Sequence, residues 1–312
     1  MIQIENLTRK YGDFTAVNNV DFQIGRGEIV GLLGHNAAGK TTIMKMLTGC
    51  LEPTGGNILI DGMNMGTHCR EIQGKIGYLP ENCPVYPEMT VVDFLDYTAS
   101  LHGVTTDRTE KIRRAIKLTE LQSKAAQYIS TLSRGYRQRV GVAQAILHGP
   151  EILILDEPTN GLDPTQIQHM RDLIRDLARE ATVIISTHIL QEVQAVCDRV
   201  IIIRNGKKAL DSTMEELRSG NRLIVATDMA HDMAADLFGQ IPGMDAVEFV
   251  SGNGRFEYAL VLHDRRNMDQ TASSVADLIL RQGSRLYALY PESRDLETIF
   301  GEISSPEGGI LS

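Results

Sequence analysis

The chain has 312 residues, a formal net charge of −9 at pH 7, 42% hydrophobic residues and 23% charged residues. This length allows two domains, and the composition is ordinary for a globular protein and excludes a largely disordered chain. The acidic balance argues against broad nucleic-acid binding, and the lack of a long apolar stretch or signal-peptide pattern predicts a chain that stays in the cytosol.

The N-terminal segment predicts a sheet. Residues 2–34 alternate short β-patterned runs with turns, among them 2–7 and 20–24. The last run, 28–33, is apolar and predicts a buried strand.

Residues 34–41 fit the phosphate-loop pattern G-x-x-x-x-G-K-[ST]. The predicted strand at 28–33 precedes them, and a helical pattern at 42–47 follows. This order of strand, loop and helix is the context in which the pattern counts as evidence. An ordinary glycine-rich turn is the alternative, and the surrounding elements argue against it.

The chemistry of a nucleotide triphosphate explains the pattern. Glycines let backbone N–H groups surround the phosphates, and the N-terminus of the following helix adds partial positive charge. We expect Lys40 to reach the β- and γ-phosphates and the Thr41 hydroxyl to bind Mg²⁺. The predicted phosphate contacts are Gly34, His35, Asn36, Ala37, Ala38, Gly39, Lys40, Thr41 and Thr42.

Tyr11 lies in a polar turn at 9–12. Its ring could offer a flat face to a nucleotide base, or it could be a tyrosine at the edge of the core, and the residues alone leave both open.

The middle of the chain predicts a helical insertion. Residues 57–62 and 75–81 read as strands, whereas 91–148 carry helical spacing, which places the insertion at about 82–148. Ser133 precedes the last helix and is a plausible N-cap. Capping and anion binding use the same backbone N–H groups, so both roles are compatible.

A second strong signal is the run 151–158, in which aliphatic residues end in Asp156 and Glu157. The run predicts a parallel strand buried on both faces, and carboxylates at its end are costly unless they meet a cation or polar ligand. We interpret Asp156 as a Mg²⁺ ligand and Glu157 as the group that polarises the attacking water.

Residues 182–188 repeat this arrangement, since a buried strand ends in His188. A lone histidine is more often structural, but its place at the end of a second strand favours a catalytic role. Strand 200–203 then leads to an Asn-Gly turn.

The C-terminal part predicts a separate small α+β domain. A helix at 213–218 ends at a boundary, with 219–222 as linker and 223–312 as the second domain. Its predicted strands are 223–226, 245–250, 256–262 and 284–289, and its predicted helices are 228–238 and 268–281. No catalytic constellation is visible there.

Together these motifs resemble the ATP-binding subunit of an ABC transporter over residues 1–218. Gly34–Thr41 resembles its Walker A loop, 152–156 its Walker B strand, 132–136 its signature motif and 160–163 its D-loop. Glu81 resembles the Q-loop residue and His188 the switch histidine, and Tyr11 resembles the family's base-stacking aromatic residue.

The resemblance implies a P-loop NTPase core of α/β class with a mixed sheet, an antiparallel N-terminal β subdomain and an inserted helical subdomain. It implies ATP and Mg²⁺ as cofactors, with Glu81 as a further Mg²⁺ ligand beside Thr41 and Asp156. It also implies a head-to-tail homodimer in which Ser133, Gly135 and Asp163 complete the partner's nucleotide site. Nucleic acid is not expected as a partner. The chain looks most like the subgroup that pairs with ABC-2-type permeases, which includes gliding-motility and copper-processing relatives. The partner would then be a transmembrane permease, the role would be export because ABC-2 relatives are mostly exporters, and the chain would be peripheral on the cytoplasmic side of the inner membrane.

Four positions depart from the family pattern. Ala37 replaces a usual glycine, which we expect to be tolerated if its φ is negative. Glu81 replaces a glutamine and adds negative charge beside the phosphates. Arg134 and Tyr136 replace a glycine and a glutamine of the signature motif.

Several alternatives stay open. A soluble ABC-type ATPase acting on ribosomes or DNA would need a second cassette or a long coiled-coil insertion, and a P-loop kinase would leave the signature helix unexplained. The segment 84–91 is where the resemblance places permease docking, and a solvated loop is the alternative. For the small C-terminal domain, dimer stabilisation and regulation fit equally well.

Overall fold

The computed structural model describes residues 1–264, 267–293 and 299–301. Its N-terminal part contains a four-stranded antiparallel sheet in the order β2-β1-β4-β5. The strands are β1 (Ile2–Tyr11), β2 (Phe14–Ile24), β4 (Gly55–Ile60) and β5 (Met63–Asn64). Ile2 pairs with both Ile24 and Ile60, so this sheet buries one apolar face against the rest of the core.

A six-stranded sheet in the order β10-β9-β3-β8-β7-β6 forms the centre. The strands are β3 (Ile29–Leu33), β6 (Ile76–Leu79), β7 (Ile152–Asp156), β8 (Thr182–Thr187), β9 (Arg199–Arg204) and β10 (Lys207–Thr213). All neighbours pair in parallel except β9 and β10. The registers Leu33 to Thr187 and Asp156 to Ser186 bring the carboxyl ends of β3, β8 and β7 to one edge.

Helices cover these sheets and form the insertion. They are α1 (Lys40–Leu47), α2 (Met65–Gln73), α3 (Val91–Leu101), α4 (Arg108–Leu118), α5 (Arg134–Ile146), α6 (Pro164–Leu177) and α7 (Leu190–Val196). The short helix α8 (Met214–Arg218) follows β10 in the chain. The helices α3, α4 and α5 share a core of their own between β6 and β7. A second core joins α1 to both sheets. The predicted α/β class, with a mixed sheet, an antiparallel N-terminal sheet and a helical insertion, is confirmed.

The C-terminal unit folds as a βαββαβ plait. Its elements are β11 (Ser219–Thr227), α9 (His231–Gly239), β12 (Met244–Gly252), β13 (Phe256–Leu262), α10 (Met268–Arg281) and β14 (Leu286–Ser293). The antiparallel order β12-β13-β11-β14 is that of a ferredoxin-like fold. Helices α9 and α10 bury Phe238 and Ile279 against Tyr258 and Leu260 of the sheet.

The predicted linker 219–222 differs from the structure, because β11 begins at Ser219. Backbone pairing of Ser219 with Ser293 extends the strand through these residues, and the second compact unit begins at Glu215. Residues 302–312, at the end of the predicted second domain, lie outside the described residues. Within the described ranges, every helix is too short or too polar to span a bilayer.

Two stacked histidines join the insertion to the central sheet. The rings of His102 and His148 lie 4.3 Å apart and nearly parallel, and His148 Nε2 donates to the carbonyl of Ile76 at 3.1 Å. That bond leaves His148 Nδ1 as a buried acceptor with no partner. Burial and the neighbouring His102 lower the pKa of His148 to about 4.

This histidine should make the chain sensitive to acid. The pKa of His148 is about 4 in the folded state and about 6.5 in the unfolded chain. Between pH 6.5 and pH 4 the unfolded state therefore binds more protons, so the free energy of unfolding falls as pH drops through this window. We expect a lower Tm at pH 5 than at pH 7.5 by calorimetry of the full chain, and a smaller drop in His148→Gln. The exposed His68→Gln should behave as wild type, and an unchanged drop in His148→Gln would contradict the assignment.

Candidate functional site

The phosphate-loop residues connect β3 to α1 at the carboxyl edge of the central sheet. Lys40 is 6% exposed, and its Nζ donates to the carbonyls of Gly34 at 2.7 Å and His35 at 3.3 Å. Gly34 is required by space, since an ideal Cβ there would lie 2.3 Å from the carbonyl oxygen of Ile203. Gly39 is required by its φ of 109°, which starts α1 from a conformation that L-residues rarely adopt. The loop is therefore a tight turn directly before a helix N-terminus.

The condition under which Ala37 was expected to be tolerated is not met. The condition was a negative φ, but the structure has Ala37 at φ 64°, in the left-handed region. A side chain in this conformation costs about 1–2 kcal/mol, which glycine avoids. The turn imposes the conformation, because the neighbouring Ala38 N–H bonds back to the His35 carbonyl at 3.1 Å. The loop thus keeps a backbone shape that favours glycine.

Asp156 lies at the end of β7 and is fully buried. The Ser186 hydroxyl donates to its Oδ1, which also lies 3.5 Å from the Thr41 hydroxyl. Its Oδ2 is buried without a hydrogen-bond partner. Burial raises the pKa of Asp156, the two hydroxyls lower it, and the negative charges of Glu157 and Glu81 raise it further.

These residues fit a magnesium ion. An unpartnered buried carboxylate oxygen beside a hydroxyl offers the hard oxygen ligands that Mg²⁺ prefers, with the remaining positions left to phosphates and water. The described residues hold no cluster of three or more His, Cys, Asp or Glu side chains that could bind a metal by themselves. Asp156 and Thr41 would hold the ion, and its chemistry would be neutralisation of charge on the triphosphate.

Glu157 contacts both Lys40 and His188. Its Oε1 lies 3.6 Å from Lys40 Nζ, and its Oε2 accepts a hydrogen bond from His188 Nδ1 at 2.9 Å. The carboxylate is buried, whereas the His188 side chain is 39% exposed. Glu157 also has φ 50°, a strained conformation for a non-glycine residue, and its N–H bonds to the Ser186 carbonyl at 3.0 Å. The structure therefore brings the two predicted catalytic residues into direct contact beside the predicted phosphate-binding lysine.

Glu81 and Tyr11 are two predicted site residues with exposed side chains. Glu81 is exposed just beyond β6, the strand next to β7, and its charge contributes to the raised pKa of Asp156. Tyr11 ends β1 with 47% exposure, and its ring lies 4.7 Å from the guanidinium carbon of Arg9. A half-exposed ring is not a core tyrosine, which favours the stacking interpretation.

The residues predicted to complete the partner's nucleotide site lie at the starts of two other helices. Ser133 is the N-cap of α5, as predicted, and accepts a bond from the Tyr136 N–H at 3.4 Å. Gly135 is buried in the first turn, and Asp163 caps α6 by accepting from the Gln166 N–H at 2.9 Å. Among the described contacts, neither Ser133 nor Gly135 touches Lys40 or Glu157.

Ser186 is a site residue that sequence reasoning missed. Its signal was a hydroxyl directly after the aliphatic run 183–185 of β8. The role of that hydroxyl follows only from the parallel register, which places Ser186 beside Asp156.

Comparison with known proteins gives consistent results. A family model described as ABC transporter matches residues 17–160. The uncharacterized ABC transporter ATP-binding protein YxlF of Bacillus subtilis (strain 168) is 39% identical over 228 residues, which cover 73% of this chain and 76% of that protein. The bacitracin transport ATP-binding protein BcrA of Bacillus licheniformis is 39% identical over 224 residues, or 71% of this chain and 72% of that protein.

A solved structure shares the fold. The dimeric structure of MJ0796, a bacterial ABC transporter cassette, superposes with a TM-score of 0.63 at 25% identity and covers 69% of this chain and 99% of that cassette. The chain is thus an ATP-binding ATPase that belongs to the family of ABC transporter ATP-binding proteins.

Proposed function

We propose that this chain powers an exporter by binding and hydrolysing Mg²⁺-ATP between two copies of itself on the cytoplasmic face of a membrane. The observation that carries the proposal is the convergence of Lys40, Thr41, Asp156, Glu157 and His188 at one sheet edge. This set contains groups for phosphate, metal and water, but it has no contact with the capping serine of α5.

The roles follow from the contacts. On ATP binding, Lys40 Nζ would exchange the Gly34 and His35 carbonyls for β- and γ-phosphate oxygens, which are stronger partners. Backbone N–H groups of the loop 34–39 and the N-terminus of α1 would bind the remaining phosphate charge. Tyr11 would stack on the base, and Thr42 would support the phosphates from the first turn of α1.

Hydrolysis would use the contact between Glu157 and His188. Glu157 would accept a proton from the attacking water, and His188 would hold the carboxylate in place and face the γ-phosphate. Thr41 and Asp156 would hold Mg²⁺, with Glu81 as a further oxygen ligand from the neighbouring strand.

Two copies are needed because Ser133, Gly135 and Asp163, which are predicted to complete a nucleotide site, lie away from Lys40 and Glu157. The N-terminus of α5, with Ser133 and Gly135, would cap the γ-phosphate held by the partner's loop, and Asp163 would approach the same interface. The dimeric cassette of similar fold supports this arrangement. Hydrolysis would remove the bridging phosphate and open the dimer.

A membrane permease of the ABC-2 type is the proposed partner. The relative named for bacitracin transport supports a transport role. Export as the direction rests on the resemblance to the ABC-2 subgroup, whose members are mostly exporters. The segment 84–91 would dock on the permease, since Tyr86 is 45% exposed and meets Tyr97 edge to face at 5.6 Å. Exposed aromatic pairs are enriched in protein interfaces. Docking would place the chain peripherally at the inner membrane.

Mixing two inactive variants tests the shared site. Lys40→Ala should lose phosphate binding, and Ser133→Arg should block closure on the partner's ATP. In a 1:1 mixture, half of the dimers combine one chain of each kind and contain one intact site, so ATPase activity should recover to about a quarter of wild type. A mixture that stays as inactive as its components would contradict a site built from two chains.

A further inference from the structure

Two helix starts in the nucleotide-binding unit are held together by a pair of reciprocal contacts. Gly135 is the second residue of α5, and Gly161 lies three residues before α6. An ideal Cβ at Gly161 would lie 2.4, 2.5 and 2.8 Å from Cζ, Nη1 and Nε of Arg134. An ideal Cβ at Gly135 would lie 2.6 Å from both Cδ and Oε1 of Gln166 and 2.9 Å from its Nε2. Each glycine is therefore covered by a planar group from the other segment.

In each contact, a planar side-chain group packs on a glycine, which has no side chain to block it. Nearly equal distances to three atoms of each group indicate that its face, rather than its edge, meets the glycine. A side chain at Gly161 would displace the guanidinium, and its φ of 71° also favours glycine. Arg134 is one of the positions that depart from the family signature, so this interlock is a property of this chain's own residues.

The Gly161 side of the interlock is joined closely to Glu157. The Asn160 N–H donates to the Glu157 carbonyl at 3.1 Å, and the Leu162 N–H donates to the Thr159 carbonyl at 3.2 Å. Thr159 is buried, so these consecutive turns are anchored in the core. A movement of the Glu157 backbone would therefore move Gly161, and through Arg134 the start of α5 with Ser133.

We propose that Arg134 and Gln166 are positioning residues that couple the Glu157 segment of one chain to the Ser133 helix start, which closes the partner's ATP site. The inference rests on the proposed function, because it requires Ser133 to act on the partner's nucleotide. ATP hydrolysis in one site then changes closure of the other, and the planarity of residue 134, not its charge, carries the coupling.

Substitutions at residue 134 separate shape from charge. Arg134→Gln keeps a planar group without charge, Arg134→Lys keeps charge without the plane, and Arg134→Ala keeps neither. Gln166→Ala opens the second contact, and Arg113→Gln, at an exposed arginine of α4, is the matched control. Each is made in the full chain, with Glu157→Gln for dimerisation assays and with Glu157 intact for the kinetics.

The readouts are the ATP concentration for half-maximal dimer formation by light scattering and the Hill coefficient of ATP hydrolysis. For Arg134→Ala, Arg134→Lys and Gln166→Ala we expect a half-maximal concentration raised by about 5-fold or more and a Hill coefficient closer to 1. ATP binding by the diluted monomer should stay unchanged, and Arg134→Gln and Arg113→Gln should remain within about twofold of their parent.

Two results overturn the coupling while leaving the proposed function intact. One is normal dimerisation and an unchanged Hill coefficient in the Ala and Lys variants. The other is that Arg134→Lys keeps normal dimerisation and an unchanged Hill coefficient while Arg134→Gln loses both, which would mean that residue 134 acts through its charge. If the Glu157→Gln parent itself stays monomeric with ATP, the proposed function fails and the coupling fails with it.

Discussion

Replacing Glu157 by Gln should lower ATP turnover of the full chain by about 100-fold or more while leaving ATP binding intact. The amide keeps the size of the carboxylate and its place between Lys40 and His188, but it cannot accept a proton from water. It also removes a negative charge 3.6 Å from the lysine that would grip the γ-phosphate. The ATP-bound dimer should therefore outlast that of the wild type.

The measurement combines steady-state phosphate release with light scattering in the presence of Mg²⁺-ATP. The matched control is Glu151→Gln, an exposed glutamate just before the opposite end of β7, whose side chain pairs with Lys75. We expect this control to hydrolyse ATP normally. A Glu157→Gln variant that turns over within a few-fold of wild type would remove Glu157 from the mechanism, whatever its dimerisation.

Local motifs were the most predictable part of this protein. The strand, loop and helix around Lys40 lie within about 20 consecutive residues, so spacing alone predicts them. The buried run ending at Asp156 was equally clear, because only a strand covered on both faces tolerates continuous aliphatic residues. The limits of α10 and β13 also agree with their predictions, since periodicity and flanking turns both marked them.

Features that depend on distant pairing could not be predicted. The hydroxyl of Ser186 acquires its role from a register 30 residues away, and the stacking of Arg134 on Gly161 joins segments that share no local pattern. The ferredoxin-like strand order likewise requires β11 to pair with both β13 and β14. Ala37 shows the same limit, because the closure of the surrounding turn imposes its positive φ, against the preference of the residue.

Asp156→Asn should abolish Mg²⁺-dependent ATP hydrolysis and make the ligand-free chain more stable at neutral pH. The unpartnered Oδ2 of Asp156 is a charged group in a fully buried place, with the negative charges of Glu157 and Glu81 nearby. A neutral amide removes the cost of burying that charge, for which we expect a gain of about 1–2 kcal/mol in the free energy of unfolding. On this prediction, Asp156 would lower the stability of the ligand-free chain, and bound metal and nucleotide would remove that cost.

The stability difference between Asp156→Asn and wild type should depend on pH. Because burial raises the pKa of Asp156, the unfolded chain releases this proton more readily, so the folded state is penalised above the folded pKa and recovers as pH falls through it. The stability gap between Asp156→Asn and wild type should therefore be largest at pH 7.5 and should shrink as pH falls toward the ordinary pKa of an aspartate. Calorimetry of the ligand-free chains measures the gap, with Asp176→Asn on the exposed face of α6 as control.

Titration with Mg²⁺ at fixed ATP completes the test. Mg²⁺ and ATP together should raise the free energy of unfolding of the wild type. Asp156→Asn should need at least about tenfold more Mg²⁺ for the same increase, because it loses an anionic ligand. Equal Mg²⁺ dependence would exclude Asp156 as a ligand. A ligand-free variant less stable than wild type at pH 7.5 would mean that Ser186 and Thr41 already satisfy the carboxylate, leaving no stored cost for the metal to relieve.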